Sequence, residues 1–106
     1  MSITRRIRLF EDIPMPAVTL TVNHPAGLHA RPAAAFVKTA AAFPCRITVR
    51  NVHDDTPPVN AKSILSVLTL GVHQGYEIEV ESQGEQAQEA LDAIVNLIES
   101  NFGESE

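Results

Sequence analysis

The chain has 106 residues, a hydrophobic content of 44% and a formal net charge of −5, which together predict one globular domain with its own core. The acidic balance argues against a general nucleic-acid-binding protein, because such a protein needs a basic surface to displace counterions from phosphates. Cys45 is the only cysteine, so an internal disulfide is impossible and a reducing compartment is favoured. We expect Cys45 to be a small buried apolar residue.

The chain also lacks the sequence signals of membrane and metal proteins. No apolar run approaches the roughly 20 residues that a membrane-spanning helix requires, and the first ten residues contain no apolar stretch of signal-peptide length. The four histidines are scattered, and none lies at a convincing metal-ligand spacing from a cysteine or another histidine. We therefore expect a soluble cytoplasmic protein with no metal, no other cofactor and no inserted membrane segment.

In chain order, residues 1–16 form a predicted N-terminal extension that is rich in arginine and ends in two prolines. A strand is predicted over 17–22, where β-branched residues alternate with others. A helix is predicted over 30–43, which Pro44 ends. Alternation predicts a second strand over 46–50, with Ile47 and Val49 pointing inward. The apolar positions of the predicted helix recur at helical spacing: Ala33, Phe36, Val37, Ala40 and Ala41.

The second half of the chain continues with a short edge strand at 57–59, because proline cannot donate to a sheet ladder. A short helix is predicted over 60–71, with Asn60 as its N-cap. A strand over 77–81 alternates glutamates with apolar residues, which gives it one solvated face. The last helix is predicted over about 85–102. Its apolar positions give the clearest periodicity in the chain: Ala87, Leu91, Ile94, Val95, Ile98 and Phe102.

The predicted element order is β-α-β-β-α-β-α. Each helix has one apolar face, and the alternating strands have one polar face. This pattern predicts an α+β fold, a two-layer open-faced sandwich in which helices cover one face of an antiparallel sheet. We assign residues 17–103 to this domain and 104–106 to a C-terminal tail.

The run Gly27-Leu28-His29-Ala30-Arg31-Pro32-Ala33 carries the candidate chemistry. His29 lies where a helix begins, and Pro32 is tolerated in the first turn because the first helical N–H groups have no intrahelical acceptor. Those N–H groups, the helix dipole and the Arg31 guanidinium would surround the imidazole, which makes an anion site that contains a nucleophile. The simplest chemistry is a phosphoryl group held on His29. The alternative is that His29 is only a helix cap or a surface residue.

This run, together with Asn60-Ala61-Lys62-Ser63-Ile64, resembles the histidine-containing phosphocarrier family HPr of the bacterial sugar phosphotransferase system. The resemblance covers roughly residues 17–103, with the elements in register. The Phe43-Pro44-Cys45 segment and the ending over 93–103 are more similar to the nitrogen-related phosphocarrier branch.

The resemblance implies that His29 is phosphorylated on its ring Nδ1 and that Arg31 steadies the phosphoryl group, with Ala30 and Pro32 as supporting positions. Ser63 matches a serine that a dedicated kinase phosphorylates in some bacteria. Enzyme I would charge the histidine, and IIA-type proteins would receive the group. A serine kinase and a transcriptional regulator are further candidate partners, and we expect a monomer. An apolar docking patch is implied at Ile64, Leu65 and Leu68.

Other interpretations of these residues stay open. The chain has no glycine-rich nucleotide loop and no evident acid/base pair beside His29, which indicates a carrier rather than an enzyme. Ser63 could simply help to cap its helix, and Ile64 and Leu68 fit a core position equally well. A second hypothesis is a regulatory interaction domain that Ser63 phosphorylation controls. A third is a domain in which His29 and Arg31 bind a free anion.

Overall fold

A computed structural model describes residues 16–104 of the chain. The predicted order of elements is confirmed, and the predicted extension 1–16 lies outside the described residues except for its last residue. The elements are β1 (Ala17–Thr21), α1 (Ala30–Ala41), β2 (Arg46–Asn51), β3 (Val59–Asn60), α2 (Ile64–Leu68), β4 (Glu77–Gln83) and α3 (Ala87–Glu99), followed by a 3-10 turn over Asn101–Gly103.

The four strands form one sheet in the order β1-β4-β2-β3, and every neighbouring pair is antiparallel. In the two long pairs, Val80 lies opposite both Val18 and Val49. Apolar side chains of the strands alternate with polar ones, so a single face is buried, as period-two patterning requires. The predicted α+β open-faced sandwich is confirmed. A short edge strand is present as expected, but β3 covers Val59–Asn60 instead of 57–59, so both prolines lie outside it.

The core lies between this face of the sheet and the helices. Helix α3 packs on β1 and β4, and α1 packs against both α3 and α2. Cys45 is buried, as predicted, and is a free thiol. The largest fully buried side chains come from both layers and include Leu28, Phe36, Ile47, Ile78 and Ile94.

The long helices are shorter than their apolar periodicity predicts. Helix α1 ends at Ala41 rather than at residue 43, and α3 begins at Ala87 rather than near residue 85. Gln86 has a φ of +65°, and Phe102 has a φ of +62°. Because a right-handed helix cannot continue through such left-handed residues, α3 is confined between them, although Phe102 still buries its ring.

The predicted cap of the short helix is wrong. Asn60 belongs to β3, where it lies opposite Thr48, and its side-chain oxygen accepts a hydrogen bond from the Lys62 N–H at 2.9 Å. Helix α2 starts only at Ile64, and Ser63 is its N-cap because the Ser63 Oγ accepts from the Ser66 N–H at 3.2 Å. Asn60 therefore pairs in the sheet and hydrogen-bonds within the turn that follows, and it does not cap the helix.

Candidate functional site

The loop that precedes α1 is pressed against the loop that precedes β4. The Leu28 N–H donates to the Val72 carbonyl at 2.9 Å, and the Leu28 side chain is fully buried. Gly27 has a φ of +66°, and a Cβ at this position would overlap the Val72 carbonyl oxygen. Glycine is therefore required here, because of the positive φ and because there is no room for a Cβ. The contact between the two loops fixes the point where the chain enters α1.

His29 is the N-cap residue of α1, but its side chain does not act as a cap. The backbone is extended, with φ −133° and ψ 170°, and the side chain makes no capping hydrogen bond. The His29 carbonyl accepts the Ala33 N–H at 3.3 Å. The interpretation of His29 as a helix cap is therefore wrong for the side chain. The imidazole lies at the positive end of a 12-residue helix.

The two ring nitrogens of His29 are not equivalent. The residue is half-buried, yet its Nε2 is fully enclosed and has no hydrogen-bond partner. A buried polar atom without a partner costs about 1–3 kcal/mol, so the surrounding packing must hold it in place. Because Nε2 is enclosed, the geometry favours Nδ1 as the ring nitrogen that an incoming group would meet.

The first residue of α1 is strained. Ala30 has a φ of +52°, a left-handed conformation that costs a residue with a Cβ about 1–2 kcal/mol. Pro32 follows in the first turn, as the sequence predicts, and the structure shows that it is buried. No local pattern signals the strain at Ala30, because alanine is otherwise the best helix former.

The C-terminal segment also reaches the site. The Glu104 Oε1 lies 2.7 Å from the Nε2 of His24, and the Nδ1 of His24 accepts the Ala26 N–H at 2.9 Å. That acceptor role leaves the ring proton on Nε2, which points to Glu104. The hydrogen bond from His24 lowers the pKa of the Glu104 carboxyl, and the charge of Arg31 acts in the same direction, although partial desolvation opposes both. Arg31 itself is exposed in the first turn of α1.

Helix α2 presents an exposed apolar surface. Leu65 is 73% exposed, and two neighbours on the same turn are each exposed by more than a third. Their exposure favours the docking interpretation over a core position. Ser63, at the start of this helix, is half-buried. We call this surface the α2 patch; it consists of Ile64, Leu65 and Leu68.

The groove beside β1 does not include this site, and the described residues hold no candidate metal cluster. A groove of about 680 Å³ lies beside β1 and the end of α3, and its lining includes Thr21, Pro25 and Ile98 but neither His29 nor Arg31. Within residues 16–104, no three histidine, cysteine or acidic side chains come together as a candidate metal site. No helix in that part of the chain has the length and apolar character needed to cross a bilayer.

A protein-family model described as "PTS HPr component phosphorylation site" matches residues 17–100. The chain belongs to the HPr family. It is 41% identical over 92 residues to the phosphocarrier protein HPr of Pseudomonas putida, covering 87% of this chain and 100% of that protein. It is 40% identical over 83 residues to the multiphosphoryl transfer protein of Salmonella typhimurium, covering 78% of this chain and 22% of that protein.

Solved structures agree with this assignment to HPr. The crystal structure of HPr-C-His from Thermoanaerobacter tengcongensis is 45% identical, with a TM-score of 0.80, and the match covers 86% of this chain and 99% of that chain. Members of the HPr family carry phosphoryl groups for the phosphotransferase system. The chain is therefore a phosphocarrier and not an enzyme.

Proposed function

We propose that His29 accepts a phosphoryl group on Nδ1 from enzyme I and passes it to IIA-type proteins of the phosphotransferase system. The observation that carries this proposal is the ring of His29, whose Nε2 is enclosed and unpaired while the residue remains half-exposed. The family match supports the phosphoryl chemistry, and the ring environment supports the choice of nitrogen.

The transfer is a substitution at phosphorus. The lone pair of Nδ1 forms a bond to phosphorus as the bond between phosphorus and the donor breaks, and the reverse exchange delivers the group to the acceptor. An imidazole that carries its single proton on Nε2 has this lone pair available on Nδ1. Since phosphoryl transfer depends mainly on positioning and charge stabilisation, a small domain can serve as a carrier while its partners complete the site.

The start of α1 stabilises the phosphorylated form. The first N–H groups of a helix have no intrahelical acceptor, and the dipole at an exposed helix end favours an anion by about 0.3–1 kcal/mol. Arg31 adds a guanidinium that can hydrogen-bond to the phosphoryl oxygens, and Ala30 and Pro32 shape the turn that presents these donors. The moderate total suits a carrier, which must also release the group.

The α2 patch is the proposed docking surface for enzyme I and the IIA-type proteins. Exposed apolar side chains of this kind are typical of protein contacts, and α2 packs against α1, the helix that follows His29. Ser63 is a proposed phosphorylation site, where about −1.5 to −2 charges would be added at the edge of the patch. The other expectations from the sequence remain predictions. They are a serine kinase and a transcriptional regulator as partners, a monomeric state, cytoplasmic localisation and membership of the nitrogen-related branch.

Labelling with phosphoenolpyruvate tests the acceptor. The protein is incubated with enzyme I and ³²P-labelled phosphoenolpyruvate, and the product is tested for acid-labile, base-stable label. Phosphorus NMR then identifies the ring nitrogen. We expect label on Nδ1 of His29, none in His29→Ala, and normal label in the control His53→Ala, which removes an exposed histidine outside the site. A wild-type protein without label, or with label on another residue, contradicts the proposal.

A further inference from the structure

The ring of His29 has one neighbour to which the sequence pattern assigns no role. His73 lies in the loop between α2 and β4, and its ring centroid is 5.6 Å from that of His29, with the ring planes inclined by 37°. The backbone of the same loop lies against the entry to α1, because the Cα of His73 would be 2.9 Å from a Cβ at Gly27. Both the backbone and the side chain of His73 therefore border the start of α1.

The orientation of the His29 ring decides which atom faces a partner. Rotation about the bond from Cβ to the ring is soft and roughly two-fold, and a half-turn exchanges Nδ1 with the carbon Cδ2. No hydrogen bond holds Nε2, and the side chain makes no capping bond. Packing must therefore select the orientation in which Nδ1, rather than a carbon, is presented.

We propose that His73 is a positioning residue that holds the His29 ring in its transfer-competent orientation, an inference that rests on the proposed role of His29. The His73 ring is restrained in turn. Its neighbour Tyr76 meets it edge-on, with ring centroids 5.3 Å apart. His73 therefore lies between two rings, those of His29 and Tyr76.

Three variants separate ring packing from other roles. His73→Ala removes the ring, His73→Phe keeps a flat ring without nitrogens, and His53→Ala is the control because it leaves both ring contacts of His73 in place. Phosphorylation is followed at a series of concentrations of phosphorylated enzyme I, each in excess over this protein. The dependence of the observed rate on that concentration gives the rate constant at saturation and the half-saturating concentration of enzyme I. Nitrogen NMR relaxation of the labelled His29 ring reports its order independently of transfer, and thermal unfolding confirms that each variant is folded.

We expect His73→Ala to lower the saturating rate constant by about five- to thirtyfold, less than the hundredfold that a 1 Å displacement can cause. The half-saturating concentration should stay unchanged, and the His29 ring should become more mobile. His73→Phe should restore both rate and ring order, and His53→Ala should match the wild type.

Several results would overturn the role of His73. A rate constant and ring order in His73→Ala equal to those of the wild type would do so. An equal loss in His73→Phe would exclude ring packing as the cause, and a change confined to the half-saturating concentration would make His73 a partner contact instead. If the wild type takes no label, the proposed function fails, but the NMR comparison still decides whether His73 orders the ring.

Discussion

Gly27 lies in direct contact with the carbonyl group of Val72, and no side chain fits between them. We therefore expect Gly27→Ala to be strongly destabilising, because a Cβ would add a backbone overlap to the strain of a positive φ. The free energy of unfolding should fall by about 2–4 kcal/mol, and the rate of phosphorylation should fall because the His29 loop is displaced. Urea unfolding and the enzyme I assay measure the two effects.

Gly71→Ala is the matched control for this change. Gly71 has nearly the same φ, +65°, but a Cβ added there would meet no atom within 4 Å. The free energy of unfolding of Gly71→Ala should fall only by the cost of the positive φ, about 1–2 kcal/mol. The rate of phosphorylation should stay unchanged. Equal losses in the two variants would show that the contact with Val72 does not matter.

The strain at Ala30 predicts an unusual stabilising substitution. Ala30→Gly removes the steric cost of the φ of +52° but adds chain entropy to the unfolded state, so we expect a net gain of up to about 1 kcal/mol. The control is Ala34→Gly, at an exposed position within α1. Its free energy of unfolding should instead fall by about 0.5–1 kcal/mol. Urea unfolding of both proteins checks the opposite signs, and a loss in both would show that Ala30 is not strained.

Local signals in the sequence place His29 correctly at the start of α1. Pro32 precedes a run of helix-forming alanines, and within a helix the missing proline N–H is tolerated only in the first turn. His29 could therefore be assigned to the start of α1 without tertiary information. The apolar spacings that place Phe36 and Ile94 in the core are equally local, which explains why the order of elements is predictable.

Features that depend on distant partners are not predictable in this way. Asn60 has the residue type of a helix cap, but pairing with Thr48 draws it into the sheet. The side chains of His24 and Glu104 are in contact although the two residues are 80 positions apart in the sequence. No periodicity in the sequence links them. The contact between the rings of His29 and His73 likewise depends on how two loops pack, which no short sequence motif encodes.

Ser63 offers a test that separates its capping role from its charge. Ser63→Ala removes the oxygen that accepts the Ser66 N–H, so the free energy of unfolding should fall by about 1 kcal/mol. Ser63→Asp keeps an acceptor at the N-cap and should stay within about 0.5 kcal/mol of the wild type, yet it places a negative charge beside the α2 patch. Calorimetric binding to enzyme I should weaken only for Ser63→Asp; equal weakening in both would exclude the charge as the cause.

Leu65 should contribute to binding and not to stability. At 73% exposure, its truncation in Leu65→Ala should change the free energy of unfolding by less than about 0.5 kcal/mol. If the α2 patch docks enzyme I, the half-saturating concentration should rise by about tenfold, as expected for a contact worth more than 1 kcal/mol, with the saturating rate unchanged. The control Leu91→Ala removes a buried side chain, so it should lower the free energy of unfolding and leave the half-saturating concentration unchanged. Unchanged kinetics in Leu65→Ala would show that the α2 patch is not the docking surface.

The pairing of Glu104 with His24 should weaken in acid. The pKa of the Glu104 carboxyl lies below its ordinary value of 4.5, chiefly because of the hydrogen bond from His24. A lowered pKa in the folded state stabilises the fold fully above the unfolded value, and this stabilisation is lost as the pH falls through the folded value. The melting temperatures of wild type and Glu104→Ala should therefore differ at neutral pH and converge in acid. Glu104→Gln, which keeps an oxygen acceptor, should show a smaller difference. A gap in melting temperature that persists unchanged to about pH 3 would mean that the carboxylate charge is not what holds this segment.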